Sequence, residues 1–124
     1  MKVLLVSHGD LSKSLIDSTE MLVGVTSGID YLIFDKNMGI DELRDSFAEY
    51  LEENDEELLI FTDIKGGTPF NVASILTNDM EKVYIFYGMN LPMIVEAALY
   101  KDEFSLDKLV KQIKSNISDC IGLI

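Results

Sequence analysis

The sequence predicts an α/β fold: one domain over residues 1–124, built on a doubly wound, mostly parallel sheet of four or five strands with helices on both faces. Three observations predict it. A length of 124 residues suits one domain with its own core. Strand-like and helix-like segments alternate along the chain, and right-handed crossovers between such strands produce a doubly wound sheet. The strand-like segments are nearly continuous apolar runs, which is typical of parallel strands covered on both faces.

Each predicted strand is a short run rich in valine, isoleucine, leucine and aromatic residues. The four runs are residues 2–7, 31–34, 58–62 and 83–87. The apolar tail, residues 120–124, is a candidate edge strand, kept in its own chain or exchanged with a second subunit. The alternative for the tail is a terminus docked on the domain.

The predicted helices follow apolar residues that recur every three or four positions. The first helix has Asp10 as its N-cap and stops at Gly24. Its apolar positions are Leu11, Leu15, Ile16, Thr19, Leu22 and Val23. The second helix covers residues 40–53, and the last two cover residues 91–100 and 105–118.

The third helix follows a glycine pair, and a threonine and a proline mark its start. We expect Thr68 to be the N-cap and Pro69 to occupy the first helical position, where a missing N–H costs nothing. The positions expected to face the core are Phe70, Ala73 and either Leu76 or Thr77.

Acidic residues outnumber basic ones, with 22 Asp and Glu against ten Lys and Arg and a net charge of −12. Such a surface repels phosphate backbones, so no nucleic acid is expected as a partner, whereas a basic protein is attracted. No apolar run reaches the roughly 18 residues of a membrane span, and the N-terminus lacks the cleavage region of a signal peptide. We therefore expect a cytoplasmic protein, in which Cys120, the only cysteine, forms no internal disulfide.

His8 is the only histidine of the chain, and it directly follows the first predicted strand. Ligands of open α/β sheets bind outside the carboxyl ends of the strands, which is where this imidazole is expected. An imidazole there acts as a base, a metal ligand or a nucleophile. A metal site is not expected, because there is no second histidine and the only cysteine is distant in sequence.

Asp63 follows the third predicted strand in the same way. If the two strands are neighbours, its carboxylate reaches the His8 ring and accepts a hydrogen bond from Nδ1. That bond fixes the tautomer, leaves Nε2 free to attack an electrophile, and stabilises positive charge on the ring. Hydrolysis is the weaker use of such a pair, since the chain has no serine elbow. A turn or helix-capping role is the alternative for Asp63.

Gly66 and Gly67 come shortly after Asp63 and directly before the third predicted helix. Glycines let the backbone turn with positive φ and approach a ligand closely. Free amides at the start of the helix then form an anion site, to which the Thr68 hydroxyl adds a donor. Beside a histidine and an aspartate, this turn indicates a place for a phosphoryl group carried by His8.

Four segments of the chain, taken together and in order, resemble the IIA component of the mannose-type sugar phosphotransferase system. They are Ser7-His8-Gly9, residues 20–24 (EMLVG), residues 63–71 (DIKGGTPFN) and residues 88–93 (GMNLPM). The likeness covers essentially the whole chain, and the segment 63–71 is its most specific part.

The resemblance implies that His8 accepts a phosphoryl group from the histidine-containing phosphocarrier protein, HPr. It also implies transfer to a histidine of a IIB component, which phosphorylates the sugar that enters through a membrane permease. By the same resemblance Asp63 orients His8, while Gly9 and the segment from Gly66 to Thr68 surround the phosphoryl oxygens, and no cofactor is needed. Family members are typically homodimers that exchange a C-terminal strand, which favours the exchanged form of the tail.

Some residues depart from the family pattern. Lys65 stands where the family often has an apolar or aromatic residue, and Ser12 and Ser14 replace small apolar or glycine residues. These departures bear on partner preference more than on chemistry, and Lys65 either contacts phosphate or is a solvated loop residue. Met89 and Met93 either form an apolar docking surface or fill the core.

Three other functions stay open on the sequence. The phosphocarrier subunit of a dihydroxyacetone kinase uses a similar domain, with a kinase-bound nucleotide as the acceptor. A receiver-like domain phosphorylated on Asp63 needs an acidic pair after its first strand to hold Mg²⁺, whereas this chain has Ser7-His8-Gly9 there. A flavodoxin-like module that binds flavin or a nucleotide has the same fold class, although no Walker-type loop is present.

Overall fold

A computed structural model describes all of residues 1–124, in which four strands alternate with helices. The strands are β1 (Lys2–His8), β2 (Ile29–Phe34), β3 (Leu58–Thr62) and β4 (Val83–Phe86). The helices are α1 (Leu11–Val23), α2 (Ile40–Glu53), α3 (Thr68–Leu76), α4 (Leu91–Tyr100) and α5 (Leu106–Asn116), followed by a 3₁₀ turn over Ile117–Cys120. None of the helices combines the length and the apolar character needed to cross a membrane.

The sheet has the strand order β2-β1-β3-β4, and every neighbouring pair is parallel. The register pairs His8 with Phe34 on one side of β1 and Val6 with Thr62 on the other. This arrangement confirms the predicted parallel α/β fold, with four strands. It also makes β1 and β3 direct neighbours, so that the residues that follow them meet at one edge of the sheet.

Two hydrophobic cores lie on opposite faces of the sheet, because successive side chains of a strand point to opposite sides. One core joins Val3, Leu5 and Phe61 to α1, α4 and α5, and the other joins Leu4 and Ile60 to α2 and α3. Burying a large side chain completely, as at Phe61, contributes roughly 1.5–3 kcal/mol. Helices therefore cover both faces, as a doubly wound sheet requires.

Helix α1 packs on the sheet through part of the predicted stripe. Leu11 and Leu22, which were predicted to face the core, are 45% and 63% exposed, whereas Thr19 is fully buried as predicted and Ser12 is fully buried although it was not predicted. Both buried hydroxyls are hydrogen-bonded, as buried polar groups generally are. Ser12 Oγ donates to the Leu32 carbonyl at 3.2 Å, and Thr19 Oγ1 donates to the Leu15 carbonyl within the helix at 2.7 Å. Three of the predicted residues, Leu15, Ile16 and Val23, do pack against the core.

The predicted N-cap of α1 is confirmed, whereas that of α3 is wrong. Asp10 is the N-cap residue of α1, although its side chain makes no capping bond and the Ser12 N–H donates to Ser7 Oγ at 2.8 Å. The N-cap of α3 is Gly67, so Thr68 is the first helical residue and Pro69, which was expected there, is the second. Of the inward positions expected on α3, Ala73 and Thr77 are buried, and Phe70 and Leu76 are half-buried. Val72, which was not among the expected positions, is also buried.

The C-terminal tail is neither a strand nor a docked terminus within its own chain. The 3₁₀ turn over Ile117–Cys120 replaces the end of the predicted last helix, and Ile121, Leu123 and Ile124 are exposed. The outer edge of β4 has no neighbouring strand. Exchange of the tail with a second subunit stays a prediction.

Candidate functional site

His8 and Asp63 meet at the carboxyl edge of the sheet, where β1 and β3 end side by side. Asp63 Oδ2 lies 2.8 Å from His8 Nδ1 and accepts the His8 backbone N–H, also at 2.8 Å. The other carboxylate oxygen, Oδ1, accepts the N–H of Ile64 at 2.8 Å. Three hydrogen bonds therefore hold the carboxylate, two of them to the residue that it orients.

The contact with Asp63 selects one tautomer of the His8 ring. A carboxylate only accepts hydrogen bonds, so the proton of the neutral ring is on Nδ1 and the lone pair is on Nε2. The histidine side chain is 48% exposed, whereas that of Asp63 is 12% exposed. The arrangement thus presents a nucleophilic nitrogen at the surface while its orienting acid stays largely covered.

Asp63 remains ionised to a lower pH than an ordinary aspartate. Burial by itself would raise its pKa, but the hydrogen bonds from the backbone and ring of His8 and from the Ile64 N–H favour the charged form. Their combined effect holds the pKa of Asp63 below its ordinary value. The negative charge needed to stabilise a cationic imidazole is therefore present throughout the neutral range.

Phe34 and Gly67 fix the ring of His8 from different directions. The Phe34 ring meets it edge-on, with the centroids 5.8 Å apart and the planes at 74°. Gly67 lies so close that a Cβ atom there would stand 2.9 Å from His8 Cε1 and 2.9 Å from Ile64 Cγ2. Cε1 joins the two ring nitrogens, so this contact explains why the N-cap of α3 is a glycine.

The glycine turn presents free backbone donors next to the ring. Gly66 has a φ of +81°, and the Asn71 side chain donates to its carbonyl oxygen at 3.1 Å, which closes the turn onto α3. The first N–H groups of a helix have no acceptor within the helix. At the start of α3 these are the N–H groups of Thr68 and Phe70, because Pro69 has none, and no other acceptor of the chain takes the Thr68 N–H. These amides and the helix dipole favour an anion at this position.

A hydrogen bond from the buried Ser7 side chain holds Gly9 next to His8. Gly9 has a φ of +58°, donates its N–H to the Phe34 carbonyl at 2.9 Å, and accepts from the Ser7 hydroxyl at 3.1 Å. Ser7 is fully buried, and its Oγ also accepts the Ser12 N–H. Both Ser7 and Asn71 stand in the motifs of the sequence, but their supporting roles depend on contacts that only the fold reveals.

A cavity of about 300 Å³ opens beside the imidazole and is lined by His8, Gly9, Phe34, Asp35 and Lys36. Gly66, Gly67 and Thr68 do not line it, and Thr68 instead borders a separate cavity of about 190 Å³ between α2 and α3. Of the phosphoryl-binding residues predicted from the sequence, only Gly9 lines the cavity beside His8, while Gly67 contacts the ring. No group of three or more His, Cys, Asp or Glu side chains is placed to hold a metal ion.

Lys65 contacts an aromatic ring, and the two methionines near α4 lie in the core. The Lys65 ammonium lies over the ring of Tyr87, 5.3 Å from its centroid. Met89 and Met93 are buried in the core of α1, α4 and α5, so they form no docking surface. Asn90, between them, caps α4 by accepting the Met93 N–H at 3.2 Å.

The comparisons with known proteins agree with this fold. Residues 2–114 match the family described as PTS system fructose IIA component, EIIA-man. A fructose-specific EIIA component of Bacillus subtilis is 27% identical over 117 residues, which are 93% of this chain and 80% of that protein. A sorbose-specific EIIA component of Lacticaseibacillus casei is 28% identical over 114 residues, covering 91% and 83% of the two chains.

The similarity extends to a solved structure. The mannose/sorbose-specific IIA subunit of Enterococcus faecalis superposes with a TM-score of 0.90 at 28% identity, covering 99% of this chain and 93% of that one. The chain is thus an α/β protein with a histidine–aspartate pair at one edge of its parallel sheet. The chain belongs to the mannose family of EIIA components of the sugar phosphotransferase system.

The contact between Gly67 and His8 is tested by Gly67→Ala, with Gly39→Ala as its matched control. Both glycines are N-caps in extended conformation, but only at Gly67 does the new Cβ meet the imidazole. We expect Gly67→Ala to slow acylation of the single histidine by diethyl pyrocarbonate several-fold, and Gly39→Ala to leave the rate unchanged. Equal rates in both variants would contradict the contact.

The lowered pKa of Asp63 predicts a specific dependence of stability on pH. A carboxylate whose pKa is depressed in the folded state stabilises that state above its ordinary pKa, near 3.8, and loses the effect as the pH falls further. Asp63→Asn should therefore unfold at lower urea concentration than the wild type at pH 7, and the difference should shrink below about pH 4. A difference that is constant down to pH 3 would rule out this role of the carboxylate.

Proposed function

We propose that this chain is a phosphocarrier that accepts a phosphoryl group from phosphorylated HPr on His8 Nε2 and passes it to a IIB component. The observation that carries the proposal is the 2.8 Å bond between Asp63 Oδ2 and His8 Nδ1, which leaves Nε2 as the free nitrogen of an exposed ring. Its role in sugar uptake rests on the family to which the chain belongs.

In the proposed step, the Nε2 lone pair of His8 attacks the phosphorus atom in line with the bond to the histidine of the donor. A bond between Nε2 and phosphorus forms as the donor's bond between nitrogen and phosphorus breaks, and the donor's imidazole leaves with the bonding electrons. Positive charge builds up on the His8 ring, and Asp63 stabilises it through the proton that stays on Nδ1. Transfer to the IIB component is the same step with His8 as the leaving group.

The free amides at the start of α3 suit the phosphoryl oxygens, whose charge is spread over three atoms during transfer. Gly67 allows the close approach, because any side chain there would occupy the space of the imidazole. Phosphoryl transfer demands positioning and charge stabilisation and little covalent work from the protein. A single nucleophile, one orienting acid and a few amides therefore suffice without a cofactor.

The same proposal places the protein in the cytoplasm, where HPr and the IIB component act, with the membrane permease reached only through IIB. As an enzyme it is a phosphotransferase that is itself phosphorylated and regenerated. The curated relatives reported above are specific for fructose and sorbose, which favours a sugar system over the carrier of a dihydroxyacetone kinase. Identifying the molecule that accepts the phosphoryl group from His8 distinguishes the carrier of a sugar system from the carrier of a dihydroxyacetone kinase.

We further propose a homodimer in which each tail pairs with the open edge of the partner's sheet. Three features of the single chain support it: the unpaired outer edge of β4, the exposed apolar residues 121–124, and a cavity of about 470 Å³ beside that edge. Apolar residues of β4 and α5 line most of this cavity. Covering an exposed strand edge removes a site that otherwise invites aggregation.

His8→Gln should abolish labelling from phosphoenolpyruvate, enzyme I and HPr, because no other residue offers the nucleophilic imidazole. Asp63→Asn should slow labelling at least about a hundredfold, since the tautomer and the charge on the ring are no longer controlled. Both variants should keep the circular dichroism spectrum of the wild type. Labelling of His8→Gln, or a wild-type rate in Asp63→Asn, would refute the assignment.

Removal of residues 121–124 should convert the dimer to a monomer, because it deletes the segment proposed to cover β4. Sedimentation of the full and shortened chains at the same concentration measures this change. A full chain that sediments as a monomer at tens of micromolar, or a shortened chain that stays dimeric, would contradict the exchanged tail.

A further inference from the structure

The lysine and arginine side chains divide into those that pair with carboxylates and those that do not. Five are in ion pairs within 4 Å, and they are Lys2, Lys13, Arg44, Lys82 and Lys101. Lys36 and Lys65, which are near the site, belong to the unpaired group, as does Lys111 on α5. In a chain with a net charge of −12, an unpaired cation next to the nucleophile calls for an explanation.

Lys36 lines the same cavity as the imidazole of His8, and it is the only cationic residue that does so. It lies in the turn after β2, two residues beyond Phe34, whose backbone is paired with His8. The turn is fixed by two bonds at its base: the Met38 N–H donates to the Asp35 carbonyl at 2.9 Å, and the Lys36 N–H donates to Asp35 Oδ1 at 2.8 Å.

The charge balance of the cavity changes when His8 carries a phosphoryl group. Asp35 lines the cavity and Asp63 is bonded to the ring, so two carboxylates already lie close to the nucleophile. A phosphoryl group adds negative charge to this environment. Lys36 is the cation placed to offset it, and amides at the start of α3 carry only partial charge.

Lys65 is less suited to this role, although it directly precedes the glycine pair. Its ammonium lies over the Tyr87 ring, and Tyr87 in turn meets Phe70 edge-on, with centroids 5.8 Å apart. This stacking engages the Lys65 cation with an aromatic face. Lys65 also does not line the cavity beside His8.

We propose that the Lys36 ammonium binds the phosphoryl group on His8 and speeds its arrival, an inference that rests on the phosphocarrier function proposed above. Lys36 forms no covalent bond and gives up no proton. The bond between phosphorus and the donor's nitrogen breaks and the bond to His8 Nε2 forms, while Lys36 offsets the charge of the oxygens. The ligand of this subsite is thus a phosphoryl group.

The experiment compares Lys36→Met, which removes the charge, with Lys36→Arg, which keeps it, and with Lys111→Met as a matched control. Lys111 is exposed and unpaired, and no residue of α5 lines the cavity. Each protein is phosphorylated by two donors, potassium phosphoramidate and phosphorylated HPr. Phosphoramidate makes no protein interface, so it reports on the phosphoryl site alone.

We expect Lys36→Met to react about fivefold more slowly with both donors, the size typical of a partly exposed charge interaction. Lys36→Arg and Lys111→Met should stay within about twofold of the wild type. Three results would overturn the proposal: a wild-type rate of Lys36→Met with phosphoramidate, a loss confined to phosphorylated HPr, which indicates protein docking, or an equal loss in Lys111→Met. If the proposed phosphocarrier function itself is wrong, phosphorylated HPr does not label even the wild-type protein. This outcome is distinct from the three results above.

Discussion

A single carboxylate oxygen, Oδ2 of Asp63, accepts both the backbone N–H and the ring N–H of His8. The first bond positions the residue and the second orients its side chain, so backbone and imidazole are set by one acceptor. Without this acceptor the ring is free to rotate and to exchange tautomers, and neither Gly67 nor the amides of α3 is then correctly placed against Nε2. The rest of the site depends on this interaction.

The interaction exists because β1 and β3 are neighbours in the sheet. The chain leaves β1 through α1 on one face, while α2 and α3 cover the other, so the loops after β1 and β3 diverge. The point where such loops separate is the usual ligand site of this architecture. Burial of both central strands in two cores holds that edge rigidly, whereas the outer edge of β4 and the tail are left for another contact.

Much of this arrangement was predictable from the sequence, because its main signals are local. Continuous apolar runs defined the strands, and His8, Asp63 and the glycine pair stood directly after two of them. The strand order was not encoded locally, so the meeting of the two side chains was conditional until the structure showed β1 beside β3.

The sequence predictions were wrong at positions where tertiary contacts, and not the local sequence, determine the conformation or the burial of a residue. A capping signal favoured Thr68, but the imidazole of His8 occupies the space of a side chain at the preceding position, and a glycine caps α3 instead. Helical periodicity included Leu22 in the buried stripe of α1 and omitted Ser12, although Leu22 is exposed and Ser12 is fully buried. The position of Lys36 beside the imidazole also had no local signal, since it results from the pairing of β1 with β2.

The most direct test of the central interaction is the ¹⁵N spectrum of the imidazole, which is unambiguous because the chain has one histidine. Long-range ¹H–¹⁵N correlations at a pH where the ring is neutral distinguish a protonated nitrogen from one that carries a lone pair. Our account predicts a proton on Nδ1 and a lone pair on Nε2 in the wild type. A wild-type ring protonated on Nε2, or an even mixture of the two tautomers, would contradict it.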